Sequence, residues 1–110
     1  MSMYEELAKI IAENNEKYVK LNEHVYSIKS HETEEGLAAL EKAKFDRWQF
    51  THDYAKLLSD FLWSKKQELT PKDLSALDVV PYDVWRRMSE KSNIVVQVIM
   101  DIYKEGKEND

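Results

Sequence analysis

The sequence predicts an all-α fold: a helical bundle of three long helices plus one short helix, forming a single domain over residues 1–105 with a charged tail at 106–110. Three observations carry this expectation. Gly36, Gly106, Pro71 and Pro81 are the only strong chain breakers in 110 residues, too few for the turns of an all-β or α/β domain. Apolar residues recur on steps of three and four through three long stretches. A composition of 43% hydrophobic and 34% charged residues belongs to a chain that folds rather than to a disordered one.

The first helix starts at Ser2, whose hydroxyl can cap while Glu5 completes a capping box. Tyr4, Leu7, Ile11, Asn14, Tyr18, Leu21, Val25 and Ile28 then mark one seam with a single polar interruption at Asn14. The seam suits a helix of an antiparallel bundle better than a self-associating coil, because Tyr4 and Tyr18 are bulky where two-stranded coils take compact aliphatics. The second helix follows a cap at Thr33, with Glu34 and Glu35 favourable in its first turn, and runs to about Leu69. At about 100° per residue, Lys42, Asp46, Gln49, Asp53, Lys56, Asp60 and Ser64 fall in a polar arc of about 80°. Leu37, Leu40, Phe45, Trp48, Phe50, Tyr54, Leu57, Leu58, Phe61, Leu62 and Trp63 fill most of the remainder, which places this helix at the centre.

Thr70, Pro71 and Asp73 announce the short helix, ending near Val79 or Val80. A last helix runs from Pro81 to about Lys104, closed by Gly106. Its apolar residues, from Val84 to Tyr103, also cover more than one bundle face requires. Two helices with surplus apolar surface predict a homodimer or an obligate partner.

The absence of cysteine excludes disulfides, thiol catalysis and thiolate metal sites. No basic leader with an apolar core opens the chain, and no apolar run approaches the length of about 20 residues that spans a bilayer, so a cytoplasmic protein without membrane contact is expected. The net charge of −5 argues against indiscriminate binding of polyphosphate. Only residues 65–91 escape the acidic balance, with 6 Lys/Arg against 5 Asp/Glu.

Within that segment "LTPKDLSALDVVPYDVWRR" resembles a helix-turn-helix DNA reader. It supplies a capped short helix, the small Ser75, a turn around Asp78 to Pro81, and Val84 and Met88 as packing positions. Where such readers usually carry glycine in the turn, this chain has Asp78 or Val79. The resemblance implies DNA contact by Tyr82, Arg86, Arg87 and Lys91, although Asp83 opposes phosphate. The competing reading is a helical corner in which Leu74, Leu77, Val79 and Val80 fold onto the bundle and Arg86 and Arg87 pair with acids of the second helix.

Metal and catalytic patterns are thin. His24, His31 and His52 have Leu21, Ile28 and Gln49 three residues before them, so the Glu-x-x-His pairs of di-iron bundles are missing. "LLSDFLW" is similar to the acidic helix of nucleotide pyrophosphohydrolases, but Leu57 stands where their glutamate precedes Asp60. No nucleophile set or phosphate loop assembles. The expectation is no cofactor, no metal and no enzymatic activity.

The more pointed feature is a set of cations inside the apolar arc of the second helix. Lys44 and Arg47 flank Trp48, with His52 at the edge. Their stems could pack while Glu41 and acids of the first helix satisfy the heads; exposed, the same group would receive an acidic partner, since Arg and Trp are frequent interface hot spots. The reading that follows is a non-catalytic protein acting through another protein, as adaptor, inhibitor or immunity-type antagonist. Its candidate surface is Lys44, Arg47, Trp48 and His52, or the acidic stripe Asp46, Asp53 and Asp60. DNA binding by residues 70–91 is the alternative.

Overall fold

The computed structural model describes residues 2–29, 32–91 and 93–109, which are mostly helical and contain no strand. Helix α1 (Met3–Ser27) starts where the sequence places it: Ser2 Oγ accepts from Glu5 N–H at 3.1 Å. Helix α2 (Glu34–Ser64) is capped by Thr33, whose hydroxyl accepts from Gly36 N–H at 2.9 Å. Tyr54 meets Asn15 and Arg47 meets Asn22, so the two helices run antiparallel. Leu7, Ile11 and Val25 of the expected seam are buried, whereas Tyr4 is 43% exposed. The Asn14 side chain stays within its own helix, donating to Ile10 C=O at 2.8 Å.

Helix α2 ends at Ser64 rather than Leu69. The cause lies downstream. Thr70 precedes a proline and is extended, at φ −113° and ψ 163°, so the helix cannot continue into it. Glu68 and Leu69 N–H both donate to Lys65 C=O, closing a turn that returns Leu69 to the core. Helix α3 (Pro71–Leu74) then opens with a full capping box: Thr70 Oγ1 accepts from Asp73 N–H, and Asp73 Oδ2 accepts from Thr70 N–H at 2.9 Å. The short element continues as a 3-10 helix, Ser75–Val79. Leu74, Leu77 and Val80 are buried as the corner requires, but Val79 is not: it is 68% exposed, on the outer side of the last 3-10 turn. The Trp85 indole donates to Leu77 C=O at 3.2 Å and ties the corner to the next helix.

The expected final helix is described as α4 (Tyr82–Lys91) and α5 (Asn93–Asn109), on either side of residue 92, which lies outside the described residues. Helix α5 passes Gly106 instead of stopping there. No described glycine has the positive φ that a glycine stop uses, and the neighbouring Lys and Glu residues are good helix formers. Arg87 of α4 lies over Trp48, while Val98, Asp101 and Glu105 of α5 lie beside Lys66 and Gln67 just past the end of α2, so the chain advances from α4 to α5 toward the C-terminal end of α2.

Helix α2 touches α1, α4 and α5, the central position its wide apolar arc predicted. One core joins Leu7 and Ile11 of α1, Tyr54, Leu58 and Leu62 of α2, Leu74 and Leu77 of the corner, Val84 and Met88 of α4, and Val95, Val98 and Ile102 of α5. Each such large side chain contributes roughly 1.5–3 kcal/mol on leaving water. The cover is incomplete: Leu37, Phe45, Trp48, Leu57 and Trp63 of α2 are between 44% and 59% exposed. The molecule is a rod of 60 × 27 × 17 Å. Among the described residues no helix is long and apolar enough to cross a membrane.

Candidate functional site

Steps of three and four on α2 create two neighbouring rows, Phe45, Trp48 and His52 beside Lys44, Arg47 and Thr51. The same spacing on α4 places Asp83, Arg86 and Arg87 on one side. Because α4 packs along α2, these rows meet and enclose an open groove of about 410 Å³ lined by Lys44, Phe45, Arg47, Trp48, Thr51, Asp83, Arg86 and Arg87. Four cations and a single carboxylate therefore face one hollow.

Each wall is held by a nameable contact. Thr51 is buried and its hydroxyl donates to Arg47 C=O at 2.7 Å, so its polar group is spent within α2. Half-buried Arg47 donates to Asn22 Oδ1 of α1 at 3.0 Å. The expected acids of the first helix do not hold it; an amide does, leaving its charge uncompensated at that contact. Trp48 stacks against Phe45 at 6.0 Å and against His52 at 5.8 Å between ring centroids. The Arg87 guanidinium lies 5.2 Å from the Trp48 ring centroid, a cation–π pair rather than the ion pair with an acid of α2 that the corner reading expected. Among the described residues no salt bridge involves Lys44, Arg47 or Arg87. Asp83 accepts from the Tyr18 hydroxyl of α1 at 3.1 Å. Burial, then the Asp83 hydrogen bond and charge, push the Tyr18 phenol above its usual value against the opposing Asn22 hydrogen bond, so it remains a protonated donor.

Two groups of residues that the sequence assigned to rival functions thus share one surface. Lys44, Arg47 and Trp48 line the groove from α2, His52 supports Trp48, and Arg86 and Arg87 line it from α4. Tyr82 is 76% exposed but does not line the groove. Of Lys91 only the helical backbone is described, and His31 lies outside the described residues. The acidic stripe lies apart. Asp46 pairs with Lys42 at 3.3 Å and Asp60 with Lys56 at 2.9 Å within α2, while Asp53 accepts from the neutral Gln49 amide at 3.0 Å. Phe45, Thr51, Asp83, Tyr18 and Asn22 were not singled out from sequence as site residues. The apolar arc contained Phe45 and the seam contained Tyr18, but no local signal joined either to α4.

The arrangement can hold an anion and an apolar group together. It does not pair a nucleophile with a base, and among the described residues no three of His, Cys, Asp and Glu are grouped as for a metal. No family of known proteins matches this chain, and neither a curated protein nor a solved structure does.

Proposed function

We propose that the protein acts without catalysis, by binding an acidic surface of another protein in the groove between α2 and α4. The observation that carries this reading is the convergence of Lys44, Arg47, Arg86 and Arg87 around a half-exposed Trp48. Interfaces draw their energy from Arg and Trp anchors, and complementary charge speeds encounter and fixes register. A photo-crosslinking side chain in place of Phe45, 59% exposed at the groove, tests it in the cells that make the protein. The expected result is a discrete protein adduct that a Lys44→Glu/Arg86→Glu variant loses. Adducts only to nucleic acid would refute the reading.

The homodimer belongs to the same proposal, supported by the exposed Val96, Met100 and Tyr103 of α5. Sedimentation at rising concentration tests it, and a monomer throughout would remove it. The second reading, DNA contact through residues 70–91, draws on the exposure of Tyr82 and Arg86 at the start of α4. It predicts duplex binding that weakens with salt and is lost in a folded Arg86→Ala/Arg87→Ala variant.

A further inference from the structure

Resting on that reading, we infer that the occupant of the α2/α4 groove is a carboxylate-rich peptide segment with an apolar side chain among its acids. The charge is the first argument. The lining of the groove sets Lys44, Arg47, Arg86 and Arg87 beside one carboxylate, Asp83, and removing these four cations from the formal net charge of −5 leaves −9 for the rest of the chain. That local excess of cations attracts a short acidic segment, whereas a long polyphosphate meets the net negative charge of the rest of the chain where it leaves the groove.

The state of Trp48 is the second argument. Its ring stacks with Phe45 at an interplanar angle of 27° and with His52 at 15°, and Arg87 lies over it. Single-stranded nucleic acids gain affinity by stacking bases on open aromatic faces. Here the protein's own side chains engage the ring, and what Phe45 and Trp48 still offer, at 59% and 47% exposure, is contact area for an aliphatic or aromatic side chain. Duplex reading would require Arg86 and Arg87 to enter a DNA groove together, yet Arg87 is drawn over Trp48 of α2.

The donors suit carboxylates. Arg47 uses one nitrogen on Asn22, and a guanidinium has five N–H donors in a fork that matches a carboxylate. The Arg87 guanidinium lies 5.2 Å from the Trp48 ring centroid, and a cation–π contact does not use up its N–H donors. Asp83, steadied by Tyr18, opposes the first carboxylate that enters and makes the groove favour segments with several acids.

The test is fluorescence anisotropy with a labelled Glu/Leu peptide, its Gln/Leu analogue and single-stranded oligo-dT, at low and near-physiological salt. The proteins are wild type, Asp83→Asn and Lys44→Glu/Arg86→Glu, the last altering two exposed side chains and checked for folding by circular dichroism. The expected result is binding of the Glu/Leu peptide that tightens a few-fold in Asp83→Asn, weakens about tenfold in the double reversal, and is absent for the Gln/Leu analogue. Equal binding of both peptides, or unchanged affinity in the double reversal, overturns the inference. Tighter binding of oligo-dT overturns it in favour of nucleic acid, and a wild-type dimer dissolved by the double reversal overturns it in favour of a second copy. A groove-dependent protein adduct at Phe45 without Glu/Leu peptide binding would overturn the peptide chemistry alone. Peptide binding with no such adduct would overturn the cellular function alone.

Discussion

Replacing Tyr54 with Phe keeps a ring that is 1% exposed and removes only its hydroxyl. That hydroxyl is the hub of a polar seam: it donates to Asn15 Oδ1 at 2.8 Å, lies 3.3 Å from Ile11 C=O, and Asn15 Nδ2 donates onward to Val79 C=O at 2.9 Å. The loss at neutral pH is one neutral hydrogen bond and leaves a half-buried acceptor without that donor, about 1–2 kcal/mol. A domain of this size holds roughly 5–15 kcal/mol, so the variant stays folded. Alkaline pH supplies the sharper signature. Burial pushes the Tyr54 phenol from 10.0 up to about 12. Its folded value lies above its unfolded one, so the stabilisation is fully present below pH 10 and is lost as pH rises through about 12. Over that window wild type loses about 1.4 kcal/mol per pH unit from this group, roughly 2–3 kcal/mol in all. Tyr18, also raised, contributes in the same direction in both proteins. Urea denaturation at stepped pH should therefore show Tyr54→Phe less stable near neutrality and losing less as pH climbs, so that the two stability curves cross. Parallel curves would refute the reasoning, because they would mean that Tyr54 ionises as readily folded as unfolded.

Leu58, fully buried between α2 and its neighbours, should cost about 2–5 kcal/mol on change to Ala, read as a lower urea midpoint; a loss under about 1 kcal/mol would contradict its place in the core. Thr70→Ala removes the hydroxyl half of the capping box and should cost about 0.5–2 kcal/mol without changing the helical circular dichroism. Trp48→Ala removes a half-exposed ring and a cation–π contact worth about 0.5–1 kcal/mol, so the protein should remain folded while losing Glu/Leu peptide affinity. Unfolding of Trp48→Ala, or of Arg47→Ala, would make the patch scaffolding rather than a binding surface.

Local chemistry made the element starts legible. Ser2 and Thr33 each cap through the hydroxyl, and Thr70 with Asp73 forms a full capping box, whereas at Ser2 only the hydroxyl half of the expected box with Glu5 is seen. Stops were harder to read, because a helix end depends on what the following chain must do. Leu69 was drawn into the core and out of α2, and Gly106 exerted no stop while its neighbours favoured helix. The site was legible only in halves. Lys44, Arg47 and Trp48 stood out as cations in an apolar arc, and Arg86 and Arg87 as the basic end of a resemblance, yet nothing local stated that α4 would lay Arg87 on Trp48. That contact follows from the corner at Leu74, Leu77 and Val80, which sets where α4 begins along α2. The acidic stripe illustrates the reverse. Its spacing alone was legible, and Lys42 and Lys56, four residues before Asp46 and Asp60, pair with them as that spacing allows.

Occupancy of the hollow between α2 and α4 by acidic protein segments can be followed residue by residue. It is tested most directly by following backbone amide signals of the isotope-labelled protein as the Glu/Leu peptide is added. Saturable shifts are expected, concentrated at residues 44–51 of α2 and 83–87 of α4 and abolished by Lys44→Glu/Arg86→Glu. Shifts centred on the exposed apolar strip of α5, or persisting in the charge-reversed protein, would contradict it.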